Sequence, residues 1–272
     1  MTGLSGRADT FLALHVPGRP LLMPNPWDAG TARLLASLGF QALATTSGGH
    51  AATLGRLDGT VDREEAIAHA AAIVAAVDVP VSADLESCFA ADPAGVFTTV
   101  RAAASAGLAG CSIEDYTGTA EDRIYEVGLA AERVAAAVEA AHTEPGLVLT
   151  ARAENFIRDH PDLDDTITRL QAYQDAGADV LYAPGLSRLE DIRRVVGAID
   201  RPLNVLVRPG LASVAELAGA GVARISVGGA FAHLALAALA RAGRELLDQG
   251  TYGFTELAAE GRARAAVAFA EV

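Results

Sequence analysis

The chain has 272 residues, 51% of them hydrophobic and 20% charged, which excludes an intrinsically disordered polymer and leaves ample material for a sizeable core. A net charge of −13 argues against partners with phosphate backbones and against anionic membrane surfaces. All 21 basic residues are Arg, so Schiff-base chemistry, a pyridoxal-phosphate anchor and a Walker lysine are excluded.

Short β-type runs alternate with longer Ala-rich segments of helical spacing. The predicted pairs, strand then helix, are 20–23 with 28–38, 40–45 with 62–77, 79–84 with 92–106, and 110–113 with 128–141. They continue as 146–151 with 163–175, 179–182 with 187–198, 202–207 with 213–220, and 223–227 with 230–248. A last helix is expected over 255–271. Gly39, Gly107, Gly177 and Gly221 each fall between a helix and the next strand, where a left-handed residue ends a helix at little cost. Asp62, Asp92 and Ser213 are N-cap types opening helical segments.

Eight strand–helix units predict a single (β/α)8 TIM barrel over 1–272 with a C-terminal helical extension. An open doubly wound sheet is the alternative, weakened because no Gly-x-Gly-x-x-Gly turn follows the first strand. The most apolar stretch, 228–240, carries His233 and is followed by Arg241 and Arg244, so it reads as a buried or interface helix. No run of about 20 uncharged apolar residues and no secretory h-region are seen, so a cytoplasmic protein is expected. Cys88 and Cys111 cannot form a disulfide framework, and read as a loop residue and a core residue.

Barrel chemistry gathers at the C-terminal strand ends. Those ends offer Asn25, Thr45, Thr46, Ser47, Gly48, Gly49, Asp58, Asp84, Glu86, Glu114, Asp115, Arg152, Glu154, Tyr182, Asn204 and Ser226. Alternation along a strand is expected to point Asp84 and Glu86 the same way. With no Lys to offset them, Asp84, Glu86 and Glu114 suggest a Mg²⁺ site; the bland reading is helix caps or Arg partners. Arg152 suits a substrate carboxylate, and equally an internal ion pair with Glu154 or Glu114. The pairs Gly48-Gly49 and Gly228-Gly229 read either as backbone approach to an oxyanion or as tight turns. The six His show no zinc spacing; His50 alone has a clear place on the rim.

The segments Val-Ser-Ala-Asp-Leu-Glu at 81–86, Cys-Ser-Ile-Glu-Asp at 111–115 and Thr-Ala-Arg-Ala-Glu-Asn-Phe at 150–156 resemble the isocitrate lyase/phosphoenolpyruvate mutase superfamily. So do Asp-Ala-Gly-Thr-Ala-Arg at 28–33, Thr-Thr-Ser-Gly-Gly at 45–49, Asp58, and Ala-Gly-Ala-Asp at 176–179. The resemblance implies a (β/α)8 barrel, commonly with its eighth helix swapped between subunits of a homo-oligomer, here a dimer or tetramer. It implies Mg²⁺ or Mn²⁺ held through Asp84, Glu86 and Glu114, with Asp58 near the metal waters. It implies an α-oxo carboxylate held by Arg152 and the Ser47, Gly48, Gly49 segment; Thr46 and Asn204, placed at the rim by their strand ends, complete the candidate substrate site.

Two departures stand out. The third strand carries Asp-x-Glu where the family usually has Asp-x-Asp. The loop from Tyr116 to Tyr125 has neither the Cys of family lyases nor the Lys of family mutases. Arg123 is the candidate replacement cation, and Tyr116 or Tyr125 the candidate proton donor; exposed loop residues are the bland alternative. The expected activity is Mg²⁺-dependent cleavage of a carbon–carbon bond in a small 2-oxo or 2-hydroxy carboxylic acid. The alternatives are phosphorus–carbon chemistry on phosphoenolpyruvate or phosphonopyruvate, and a catalytically silent metabolite-binding barrel.

Overall fold

The computed structural model describes residues 6–119 and 123–270. Eight strands, β1 (Leu21–Met23), β2 (Leu43–Ala44), β3 (Val81–Asp84), β4 (Gly110–Glu114), β5 (Val148–Arg152), β6 (Val180–Tyr182), β7 (Leu203–Leu206) and β8 (Arg224–Ser226), form one parallel sheet. The pairing order is β1-β8-β7-β6-β5-β4-β3-β2. At the remaining seam Ala44 N–H donates to Pro24 O at 3.1 Å and Asn25 Nδ2–H to Thr45 O at 2.9 Å, so the sheet curls into a nearly closed barrel. The expected (β/α)8 architecture is therefore the observed one.

The helices are α1 (Gly6–Ala13), α2 (Ala29–Ser37), α3 (Ser47–Thr53), α4 (Arg63–Val74), α5 (Pro93–Ser105), α6 (Val127–Ala141), α7 (Leu163–Asp175), α8 (Leu189–Ala198), α9 (Val214–Gly219), α10 (Ala230–Gln249) and α11 (Thr255–Ala270). Their starts follow the expected caps. Asp62, Asp92 and Ser213 accept from the backbone N–H of Glu65, Gly95 and Glu216, and the first and last complete capping boxes. Gly107 and Gly177, with φ of +83° and +101°, take the left-handed turn into the next strand. Position 271 of the last expected helix lies outside the described residues.

Two helices were not anticipated. The first, α1, lies under the barrel, where Ala8 and Phe11 pack with Ala42, Val148 and Val180. A Cβ on Gly110 would lie 2.7 Å from Phe11 Cε1 and 3.0 Å from Val148 O, so glycine there is what lets the helix seat. Eight residues with so little apolar surface give almost no periodic signal, and only tertiary packing stabilises them. The second, α3, begins at Ser47 and contains the glycine pair that read as a turn or an oxyanion loop. Thr46 is its N-cap, accepting from Gly49 N–H at 3.4 Å. A Cβ on Gly49 would meet Thr46 Cγ2 at 2.5 Å and Trp27 Cβ at 3.1 Å, and one on Gly48 would meet the Asp58 carboxyl at 3.3 Å. The glycines permit close packing that outweighs their poor helix propensity.

The outer core lies between strands and helices and includes Leu35, Ile73, Val100, Val134, Leu170 and Val195. The last two helices behave differently. Within one chain α10 buries only Ala232 along 20 residues. Leu234 and Leu239 on it are 65% and 71% exposed. α11 returns to α2, with Phe269 Cζ beside Gly30. No described helix is long and apolar enough to cross a membrane.

Candidate active site

The ladder between β4 and β5 sets Glu114 opposite Arg152 at the C-terminal ends of both strands. Arg152 is the hub of the rim. Its Nη1 lies 2.9 Å from Asp84 Oδ1, and its Nη2 lies 3.1 Å from Glu114 Oε2 and 3.0 Å from Glu154 Oε1. Burial opposes the charge, but Glu154, Glu114 and Asp84 together hold the guanidinium well above its ordinary pKa. The internal ion pair weighed for Arg152 thus forms with both candidate glutamates and with Asp84.

Each carboxylate has further partners. Ser47 donates its backbone N–H and its hydroxyl to Asp84 Oδ2, at 3.2 and 3.1 Å. Arg158 reaches Glu114 Oε1 at 3.4 Å and Glu154 Oε2 at 3.3 Å, and its guanidinium lies 3.5 Å over the Tyr116 ring. Burial, then the charge of Glu154, pushes Glu114 well above the ordinary carboxylate range against the pull of both arginines. Below them Asp115 accepts from the Tyr173 hydroxyl at 2.6 Å and pairs with Arg169 at 3.1 Å, which anchors the rim to α7.

Glu86 departs from the alternation argument. β3 ends at Asp84, and Glu86 sits in a turn with φ of +49°, followed by Cys88 and Phe89 at +59° and +54°. Three non-glycine residues in left-handed backbone carry strain, and the buried Arg133 holds them in place by donating to Ser87 O at 2.6 Å and Ala90 O at 2.9 Å. The shared-face reasoning for Asp84 and Glu86 is therefore corrected: pleat alternation ends with the strand. Burial, then the charges of Asp84 and Asp58, pushes the Glu86 carboxyl up to about 7.

Two adjoining cavities open over this rim. The inner one, about 200 Å³, is lined by Thr46, Ser47, Asp58, Asp84, Arg152 and Asn204, with Ser82, Ser112, Tyr182, Arg224 and Ser226 deeper in the barrel. The outer one, about 480 Å³, shares Ser47, Asp58 and Arg152 and adds Glu86, Glu114, Tyr116 and Arg158. So Asp84 faces the inner cavity while Glu86 and Glu114 face the outer. Asn204 donates to Ser226 Oγ at 3.0 Å.

Other candidates lie elsewhere. Gly48 lines neither cavity, and Gly49 lines an apolar pocket with Trp27 and Leu236. Arg123 is half-exposed and paired with Asp159, outside both cavities. Tyr125 stacks under Arg133 at 4.1 Å. Positions 120–122 of that loop lie outside the described residues. His50 does not reach the rim; it is buried in α3 and stacked on His69 at 3.8 Å between centroids, and burial, then the charge of His69, lowers its pKa to about 4. Burial pushes the Cys88 thiol up to about 12, so it is no nucleophile at neutral pH. Arg158 and Arg224 were missed. The first carries a faint signal, standing four residues after Glu154; the second is the one charged residue in the predicted strand 223–227.

The donor chemistry of the rim fits a hard divalent cation. Asp58, Asp84 and Glu86 concentrate negative charge, and after burial the charges of Asp84 and Asp58 raise the Glu86 pKa against the pull of Arg152 and Arg158. Among the described residues, however, no three acidic, His or Cys side chains are gathered around one point as an ion would require.

The profile of the phosphoenolpyruvate phosphomutase family matches residues 11–247. The chain belongs to the isocitrate lyase/phosphoenolpyruvate mutase superfamily. A Burkholderia cenocepacia protein whose crystal structure carries a provisional lyase/mutase assignment is 52% identical, with 92% of this chain and 91% of that chain covered and a TM-score of 0.89. The 2-methylisocitrate lyase of Escherichia coli is 29% identical over 71% of this chain and 70% of its own length. The crystal structure of 2,3-dimethylmalate lyase, 28% identical, covers 91% of this chain and 89% of its own with a TM-score of 0.81. Superfamily members of this kind are lyases or mutases.

Proposed function

We propose that this superfamily member is a lyase that breaks a carbon–carbon bond in a small 2-oxo or 2-hydroxy carboxylic acid, using Mg²⁺ or Mn²⁺. The observation that carries the reading is Arg152, held by Asp84, Glu114 and Glu154 at the edge of a cavity sized for an acid of a few carbons. Similarity to 2-methylisocitrate lyase and 2,3-dimethylmalate lyase supports it.

Asp84 and Glu86, with Asp58, would hold the cation, and Glu114 would join them only if one of its oxygens leaves Arg152 or Arg158; when bound, the cation supplies Lewis-acid polarisation of substrate oxygens. Arg152, with its Nε and Nη2 on Glu154 and Glu114 and one Nη1–H on Asp84, keeps one Nη1–H with which to orient the substrate carboxylate. Ser47 keeps Asp84 in place through two hydrogen bonds, so the carboxylate does not have to reorganise as charge develops nearby. Thr46 and Asn204 shape the cavity around the substrate. Tyr116, facing the outer cavity, is the group we assign as proton donor, with Arg123 reaching inward only if it leaves Asp159. The exposed apolar side of α10 supports a homo-oligomer, and a cytoplasmic setting completes the reading.

A panel of 2-oxo acids and 2-hydroxydicarboxylates with added Mg²⁺ tests the proposal. Asp84→Ala should lower metal-dependent turnover about a hundredfold or more. Turnover retained in that variant would reject the metal assignment. The family profile favours a second reading, phosphorus–carbon chemistry. The carboxylate-rich rim and the absence of Lys oppose a trianionic substrate. Phosphorus NMR with phosphoenolpyruvate and phosphonopyruvate separates the two.

A further inference from the structure

A second guanidinium lies deeper in the barrel than the rim. Arg224 opposes Asn204 in the ladder between β7 and β8, stands two residues before Ser226 and is 3% exposed. It spans the interior to β5, where Nη1 and Nη2 both donate to Thr150 Oγ1 at 3.2 Å. Nη1 also donates to His15 Nε2 at 3.1 Å. His15 Nδ1 bonds the carbonyl of Phe11 at 2.9 Å. A carbonyl only accepts, so the ring proton sits on Nδ1 and Nε2 is a neutral acceptor.

The donor count is informative. A guanidinium has five N–H groups, and three of Arg224's are used. The two left, Nε–H and one Nη2–H, lie side by side on one edge, the edge that a carboxylate engages with both oxygens. Nε has no hydrogen-bond partner. Among the described residues no carboxylate pairs with Arg224, whereas three surround Arg152. Arg133, also buried, without a carboxylate partner and with its Nε unpartnered, differs in that it donates to three carbonyls, lies over the Tyr125 ring and lines neither cavity. A buried charge compensated only by a hydroxyl and a neutral imidazole is costly, and Arg224 lines the inner cavity.

We propose that Arg224 receives the second, remote carboxylate of the substrate and so selects dicarboxylic over monocarboxylic acids at the depth of the inner cavity. The inference rests on the reading of that cavity as a carboxylate site. Arg152's charge is already offset by its three neighbours, so a dianion entering past Asp58 and Asp84 finds its counter-charge in Arg224. The free edge then fixes the remote carboxylate while the other end stays at the rim.

Isothermal titration in magnesium buffer tests this with malate, with the malate derivative whose remote carboxylate is a carboxamide, and with oxalate. The wild type should bind malate about tenfold or more tightly than the amide. Arg224→Met should bind the two alike while still binding oxalate, which needs only the rim. A malate-to-amide ratio near one in the wild type, or a ratio preserved in Arg224→Met, would overturn the proposal. If oxalate fails to bind the wild type, the carboxylate-site reading itself falls and this inference with it. If oxalate binds and the ratio is near one, only Arg224 is wrongly assigned. Should Arg224→Met fail to fold, the wild-type ratio and Arg224→Lys decide. Lysine keeps the charge without the two-donor edge, so most of the ratio should be lost.

Discussion

Arg152 shows how much one side chain decides. Asp84, Glu114 and Glu154 converge on it, and Glu114 and Glu154 are 4% and 0% exposed. Replacing it with Met leaves two buried carboxylates with only Arg158 between them. Arg152→Met should therefore destabilise the protein by about 3–5 kcal/mol at neutral pH in urea denaturation. Both glutamates have raised pKa values, so the loss should shrink as the medium is acidified and they take up protons. A deficit unchanged between pH 8 and pH 5 would show that the arginine acts by packing alone. The residue types of this rim were legible in the sequence because strand ends could be placed by the βα rhythm. The pairing of Arg152 with Glu114 or Glu154 could be weighed from the sequence, but its pairing with Asp84 could not, since Asp84 and Arg152 are brought together only by the curl of the sheet. Glu86 makes the same point. Its address near the rim followed from the sequence, but its left-handed backbone depends on Arg133, contributed by a helix 40-odd residues further on.

At the scale of an element, α1 closes the floor of the barrel and ties the chain start to β5 and β8. Phe11 packs beside Gly110, and the His15 ring stands edge-on to Phe11 at 4.8 Å between centroids. Burial, then the charge of Arg224, lowers the His15 pKa from 6.5 to about 3. The unfolded chain therefore binds a proton that the folded one refuses between those values. Stability from this group is complete above about pH 6.5, falls as pH drops below it, and is fully lost below about pH 3. At pH 5 the loss from His15 should be roughly 2 kcal/mol relative to pH 8. Urea midpoints at the two pH values, for the wild type and His15→Gln, check this. The variant should show the smaller acid sensitivity, and equal curves would mean that His15 is not held neutral. Neither α1 nor α3 could be read from periodicity. Each is short, and each exists because glycines leave room for a neighbour, a fact that belongs to the neighbour as much as to the segment.

For the whole molecule, the barrel is nearly closed but α10 leaves its apolar side uncovered, which is unusual for a monomer. On the proposed reading that side meets another copy of the chain. Sedimentation or light scattering should find an assembly larger than one chain, and Leu239→Arg should shift it toward the monomer while far-UV circular dichroism is unchanged. A wild-type monomer would remove the oligomer from the account. The amino-acid sequence by itself determined the order of the strands and of the described helices other than α1 and α3, the barrel and the family motifs, because hydrophobic period, caps and helix-ending glycines are local and act within a few residues. Only the tertiary structure decided that Arg152 is shared by three carboxylates, that His50 turns away from the rim, and that Arg224 keeps an unpaired edge in the barrel interior. Those outcomes depend on distances between residues far apart in the chain, and electrostatic energies change steeply over the few ångströms that only folding sets.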